Sequence, residues 1–125
     1  MINIIYIGFG GFIGAVSRYI LARWINNIIP AFPLGTLAVN VLGSFALGFL
    51  MYLVTSGRNI SPELRDFIAI GILGGFTTMS SFAYESFRLA ELNQVILFAL
   101  NIALNIVLCI GAVYAGKELA LVITK

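Results

Sequence analysis

The chain has 125 residues, of which 61% are hydrophobic and only 10% charged, with a formal net charge of +2. A soluble domain averages about 25% charged residues, so this composition belongs to a membrane protein and excludes a soluble enzyme or a large extramembrane sensor. The few basic residues are scattered and form no nucleic-acid-binding cluster, and Cys109 is the single cysteine, which excludes an intrachain disulfide and a cysteine metal cage. Charge-free runs cover 1–17, 24–57, 67–84 and 92–116. A spanning helix needs about 20 predominantly apolar residues. Asn26-Asn27 and Pro30/Pro33 interrupt the second run, so only its later part spans. The expectation is an all-α membrane protein of four transmembrane helices forming one domain, 1–125, with no room in these residues for a further domain.

Helix 1 is expected over roughly Asn3 to Arg23. The N-terminal segment MINIIYIGFGG lacks a basic region ahead of its apolar run and reads as the first span, not as a cleaved signal. Gly10 and Gly14, and Gly11 and Ala15, recur at the four-residue spacing that lets helix backbones approach closely in lipid. Arg23 with Trp24 reads as an interfacial anchor. Arg18 either snorkels or lines an anion vestibule.

After a short loop ended by Pro33, helix 2 is expected from Leu34 to about Val54. Thr36, Asn40, Ser44 and Gly48 recur every four residues and share one narrow face. Such a stripe on an apolar helix faces protein or water, either as interhelical hydrogen bonds or as a pore wall.

The turn SGRNIS, 56–61, leads to Ser61 as N-cap and Pro62 at the first position of helix 3. This third span starts amphipathically, turns apolar, and is expected to break at Gly74-Gly75 before resuming through Phe82 and Glu85 to about Leu89. The stretch GILGGFTTMSSF, 71–82, packs glycines and hydroxyls into mid-span. Irregular backbone at membrane depth survives only against protein, water or an ion, and discontinuous transporter helices use the bared groups to hold ions. The expectation is an ion site at Gly74–Thr78. Helix 4 is expected from about Gln94 to Ala115, with Lys117 and Lys125 beyond its end. Asn101, Asn105 and Cys109 repeat at four-residue spacing; asparagines in lipid are costly unless paired and serve either as helix glue or as a substrate path.

Four spans place both termini on one side, with Arg58, Arg65, Lys117 and Lys125, against Arg18, Arg23 and Arg88 on the other. So little bias fits insertion in both orientations and an antiparallel dimer. No carboxylate lies in the spanning core, Glu85 being nearest. The core polar groups Thr36, Asn40, Ser80, Ser81, Asn101 and Asn105 can all donate hydrogen bonds, and Phe82 can offer a positive ring edge. These features fit an anion pathway without choosing the anion.

The blocks GGFIGAVSRY (10–19), GTLAVNVLGSFALG (35–48) and GGFTTMSSF (74–82) resemble the Fluc/CrcB family of fluoride channels, in the family's order and over essentially the whole chain. The resemblance implies a dual-topology homodimer with two pores and a structural sodium ion at its centre, held by backbone carbonyls of the broken third helices. Carried over by motif, those carbonyls are Gly74 and Thr77. Asn40 matches the pore asparagine, Phe82 the second of two pathway phenylalanines, and Arg18 and Glu85 vestibule residues. Ser81, Thr36 and Asn105 match a hydroxyl track. Met79 stands where the first phenylalanine is usual, Asn101 where an aromatic is common, and Asn105 in place of a hydroxyl; Ser80 completes the donor set.

The function implied is passive fluoride export across a bacterial inner membrane, which limits fluoride toxicity. HF enters by diffusion and dissociates, and a negative-inside potential drives the anion out at about 2.3 kcal/mol per charge per 100 mV. The alternatives are a small proton-coupled multidrug-type exporter, which needs a core carboxylate, and a non-transporting scaffold. Absence of histidine and of a core acid pair argues against an enzyme.

Overall fold

The computed structural model of the protein describes residues 2–125, the side chain of Ile2 excepted. Its helices are α1 (Ile2–Asn26), α2 (Leu34–Thr55), α3 (Pro62–Asp66), α4 (Gly74–Phe76), α5 (Met79–Glu91) and α6 (Val95–Ile123), with a π-helical segment, Phe67–Leu73, joining α3 to α4. Four spans are long and apolar enough to cross a membrane: α1, α2, the composite third span Pro62–Glu91, and α6. This is a multi-pass membrane protein, all-helical, with one span interrupted.

The helix ends follow local chemistry. Ser61 Oγ accepts from the Leu64 N–H at 3.2 Å ahead of Pro62. Asn26 Oδ1 accepts from the Gly35 N–H at 2.8 Å, tying the end of α1 to the start of α2. Asn93, at φ 56°, turns the chain into α6. One boundary differs from expectation: α6 continues through Lys117 to Ile123. Nothing in KELALVI opposes a helix, and Lys117 bends back so that its Nζ lies 5.5 Å from the Tyr52 ring and 5.7 Å from the Tyr114 ring.

The spans pair two by two. α1 packs along the third span and α2 along α6, with α1 against α2 and α5 against α6 joining the pairs. Close backbone approach explains the small residues. A Cβ at Gly10 would lie 2.6 Å from the Phe67 carbonyl oxygen, and one at Gly75 2.7 Å from the Gly11 carbonyl oxygen. The buried apolar core is small, with Leu37, Val39, Leu50, Leu73 and Leu89 its large members. Phe9, Phe12, Ile96, Val107 and Ile110 are all more than half exposed. In water that distribution would be unstable. In a bilayer the lipid chains are as apolar as these side chains, so packing and hydrogen bonds between helices hold the bundle instead.

Candidate functional site: the interrupted third span and its groove

The interruption is real but lies beyond Gly74-Gly75. Gly74 is helical, at φ −63° and ψ −37°, and α4 runs through Gly75 to Phe76. The extended residues are Thr77 (φ −90°, ψ 157°) and Thr78 (φ −150°, ψ 119°). The physical reason is packing: Gly75 serves the contact with Gly11 of α1, where its missing Cβ matters more than its freedom of φ. Two consecutive β-branched residues then take the extended conformation that suits them.

Side chains stabilise the break. Asn40 of α2 reaches across and accepts from the Thr78 N–H at 2.8 Å through Oδ1, while its Nδ2 donates to the Thr78 carbonyl at 3.1 Å. One amide thus replaces both ladder partners of Thr78. Thr78 Oγ1 in turn accepts from the Ser81 N–H at 3.1 Å, capping α5, and meets Ser80 Oγ and Ser81 Oγ, each at 3.2 Å. A helical ladder runs from each N–H to the carbonyl four residues earlier. The Thr78 N–H diverted to Asn40 and the Ser81 N–H diverted to Thr78 are the two that would have served Gly74 and Thr77. The carbonyls of Gly74 and Thr77 are therefore released from the ladder, and these are the two oxygens named from the motif.

A groove of about 450 Å³ opens beside the break, lined among others by Asn40, Ser44, Gly74, Thr77, Thr78, Met79, Phe82, Asn105 and Cys109. No charged side chain is among its lining residues. It combines released carbonyls at one edge with the N-terminus of α5, which carries a partial positive charge, and with the thioether of Met79 and the ring of Phe82. A positive helix end beside a wall without an acidic ring favours a small anion over a cation.

The predicted residues divide into four sets. Asn40, Met79, Phe82 and Asn105 share the groove with Gly74 and Thr77. Ser80 and Ser81 sit one step behind it in the Thr78 hydroxyl cluster. Thr36, 4% exposed, donates to Glu85 Oε1 at 2.8 Å; Glu85 lines a second cavity of about 280 Å³ with Asn26, Tyr84 and Arg88. Arg18 is half-buried on α1 and lines neither of these cavities. Asn101 is fully buried and lines neither as well. It donates to Ser86 Oγ at 2.9 Å and accepts from Asn105 Nδ2 at 3.1 Å, and Asn105 Oδ1 accepts from Asn40 Nδ2 at 3.1 Å.

Two structural participants are absent from the motif-based site set. Thr78 is the hub of the break, and the signal for it was an N-cap residue three before Ser81. Ser86 anchors Asn101, and a small hydroxyl on an apolar span gives no sequence signal of its own.

The CrcB-like protein (camphor resistance) family model matches residues 5–117. The chain belongs to the CrcB family. Within reach of this CrcB protein are "Fluoride-specific ion channel FluC 1" of Methanosarcina acetivorans, 50% identical and covering 97% of this chain and 92% of the relative, and "Fluoride-specific ion channel FluC" of Campylobacter jejuni, 44% identical over 93% of this chain and 96% of the relative. A third, from Hahella chejuensis and with the same name, is 42% identical over 94% and 93% of the two chains. The CrcB match reaches into all four spans and takes in every residue that lines the groove.

Proposed function

We propose that this CrcB protein is a fluoride channel that conducts passively, with the groove beside the Thr77–Thr78 break as one wall of its pathway. The observation that carries the reading is that uncharged groove, lined by amide, hydroxyl and aromatic side chains, in a chain 50% identical to a protein named as a fluoride-specific channel. An anion shedding water there meets the positive end of α5 and polar side chains, with no carboxylate among the lining residues to repel it. Passive conduction needs no coupling residue, and the membrane potential of a bacterial inner membrane directs the flow outward.

The working unit of this reading is a homodimer of two oppositely oriented copies. Gly74 is exposed in the single chain, as a residue facing a partner across the groove would be. The released carbonyls of Gly74 and Thr77 suit a hard cation that prefers oxygen, and the described residues contain no group of three or more His, Cys, Asp or Glu that would hold a metal otherwise. Held by those carbonyls, a sodium ion would supply a structural cross-link between two interrupted spans and would not be carried. The chain's own contribution is to hold both carbonyls out of the helical ladder.

The test is fluoride efflux from proteoliposomes, read with a fluoride electrode, with sodium present or replaced by a large organic cation. Efflux that needs sodium is expected, together with loss of efflux in Phe82→Ile. Absence of efflux from well-folded, sodium-loaded protein overturns the channel reading. Flux that requires a proton gradient would favour a coupled exporter, and flux unaffected by Phe82→Ile would remove the groove from the pathway. Labelling of a single engineered loop cysteine from both faces of the membrane tests the dual orientation.

A further inference from the structure

We propose that Asn101 is a positioning residue: acting through Asn105, it sets the direction of the Asn40 amide and so the geometry of the broken span beside the pathway. This deepens the fluoride-channel reading and rests on it for its functional consequence.

Five residues on three spans form one directed chain of hydrogen bonds. Asn101 Nδ2 donates to Ser86 Oγ at 2.9 Å. Asn105 Nδ2 donates to Asn101 Oδ1 at 3.1 Å and to the Asn101 carbonyl at 2.9 Å. Asn40 Nδ2 donates to Asn105 Oδ1 at 3.1 Å, and Asn40 Oδ1 accepts from the Thr78 N–H at 2.8 Å. Every amide presents its oxygen to the preceding donor and its nitrogen to the next acceptor. Asn101 is 0% exposed, Asn105 5% and Ser86 6%, so water is not at hand to replace a lost partner.

An amide has one accepting and one donating end, so the directions are coupled. Reversing Asn105 would bring its Nδ2 against Asn40 Nδ2, donor against donor. Asn40 would then reverse too, placing Nδ2 against the Thr78 N–H and undoing the bond that diverts that N–H from Gly74. The carbonyl and Oδ1 of Asn101 are what hold Asn105 in the other direction. The circuit also closes on itself: Thr78 and Ser86 bound the first two turns of α5, and Met79 and Phe82, which face the groove, lie between them. Asn101 touches neither cavity, so its influence on an ion passes through its neighbours.

The experiment compares wild type, Asn101→Leu, Asn105→Ala and the double variant in proteoliposomes. In parallel, NMR of asparagine-15N-labelled full-length protein follows the Asn40 side-chain amide, assigned by its loss in Asn40→Ala. We expect Asn101→Leu to slow fluoride efflux by about three- to tenfold, the scale of one lost buried hydrogen bond, with unchanged elution in gel filtration. The Asn40 amide resonance is expected to move, although Asn101 does not touch Asn40. In the Asn105→Ala background Asn101→Leu is expected to add nothing, because its route is already cut. Losses that multiply, or an Asn40 amide that stays in place, overturn the proposal. Should Asn101→Leu fail to fold, Ser86→Ala carries the same arms. Should the wild type itself conduct no fluoride, the channel reading fails, and the Asn40 resonance alone decides the positioning role.

Discussion

Replacing Asn40 by leucine, which is close in volume, removes an amide that holds three partners: the Thr78 N–H at 2.8 Å, and the Thr78 carbonyl and Asn105 Oδ1, each at 3.1 Å. Interhelical hydrogen bonds in bilayers average about 0.6 kcal/mol each, which sets a floor near 2 kcal/mol for three. Leaving three buried polar groups unpaired, at about 2 kcal/mol each, sets a ceiling near 6 kcal/mol. Thr78 is 9% exposed and borders the groove, so water reaches part of what is orphaned. The lower half of that range therefore applies, and the expected loss is about 2–4 kcal/mol. Reversible unfolding in mixed micelles on titration with SDS measures it. Fluoride efflux from the same preparation is expected to fall steeply, since the Thr78 N–H becomes free to return to the Gly74 carbonyl and re-form the ladder. A stability change below about 0.5 kcal/mol, the range of an ordinary surface substitution, together with unchanged efflux, would refute the claim that Asn40 maintains the break.

Two further substitution pairs probe packing and capping. Gly10→Ala places a Cβ 2.6 Å from the Phe67 carbonyl oxygen, whereas a Cβ at Gly8 meets nothing within 4 Å; in SDS unfolding the first is expected to cost about 1–3 kcal/mol, as overpacking does, and the second under about 0.5 kcal/mol. Equal effects would contradict the close approach of α1 to the third span. Thr78→Val keeps the backbone bonds to Asn40 but loses the cap on the Ser81 N–H, for an expected cost of about 1 kcal/mol that Thr78→Ser recovers. Failure of the serine variant to recover stability would mean that the β-branched shape, and not the hydroxyl, matters at this position.

Much of this protein is legible from its residues. The charge-free runs fix four spans because a bilayer core tolerates few charges and needs about 20 apolar residues to cross. The Gly10/Gly14 spacing marks a close helix contact, and Ser61-Pro62 marks a helix start, because both are local rules. The polar stripe on α2 also emerges from spacing alone: Thr36 reaches Glu85, Asn40 reaches Thr78, and Ser44 lines the groove.

What tertiary structure decided is where the third span breaks and which polar groups are free. Gly74-Gly75 invites a break by local propensity, yet those residues stay helical because α1 presses against Gly75. The interruption moves to Thr77–Thr78, where a side chain from another span supplies the missing partners. Asn40, Asn101 and Asn105 all read as donors in sequence. In three dimensions they spend those donors on one another and on Ser86, since buried amides in an apolar medium are stable only when paired. Composition and spacing determine which residues enter the membrane and share a face; only packing between spans, and the obligation to pair every buried polar group, determines which of them remain available to an ion.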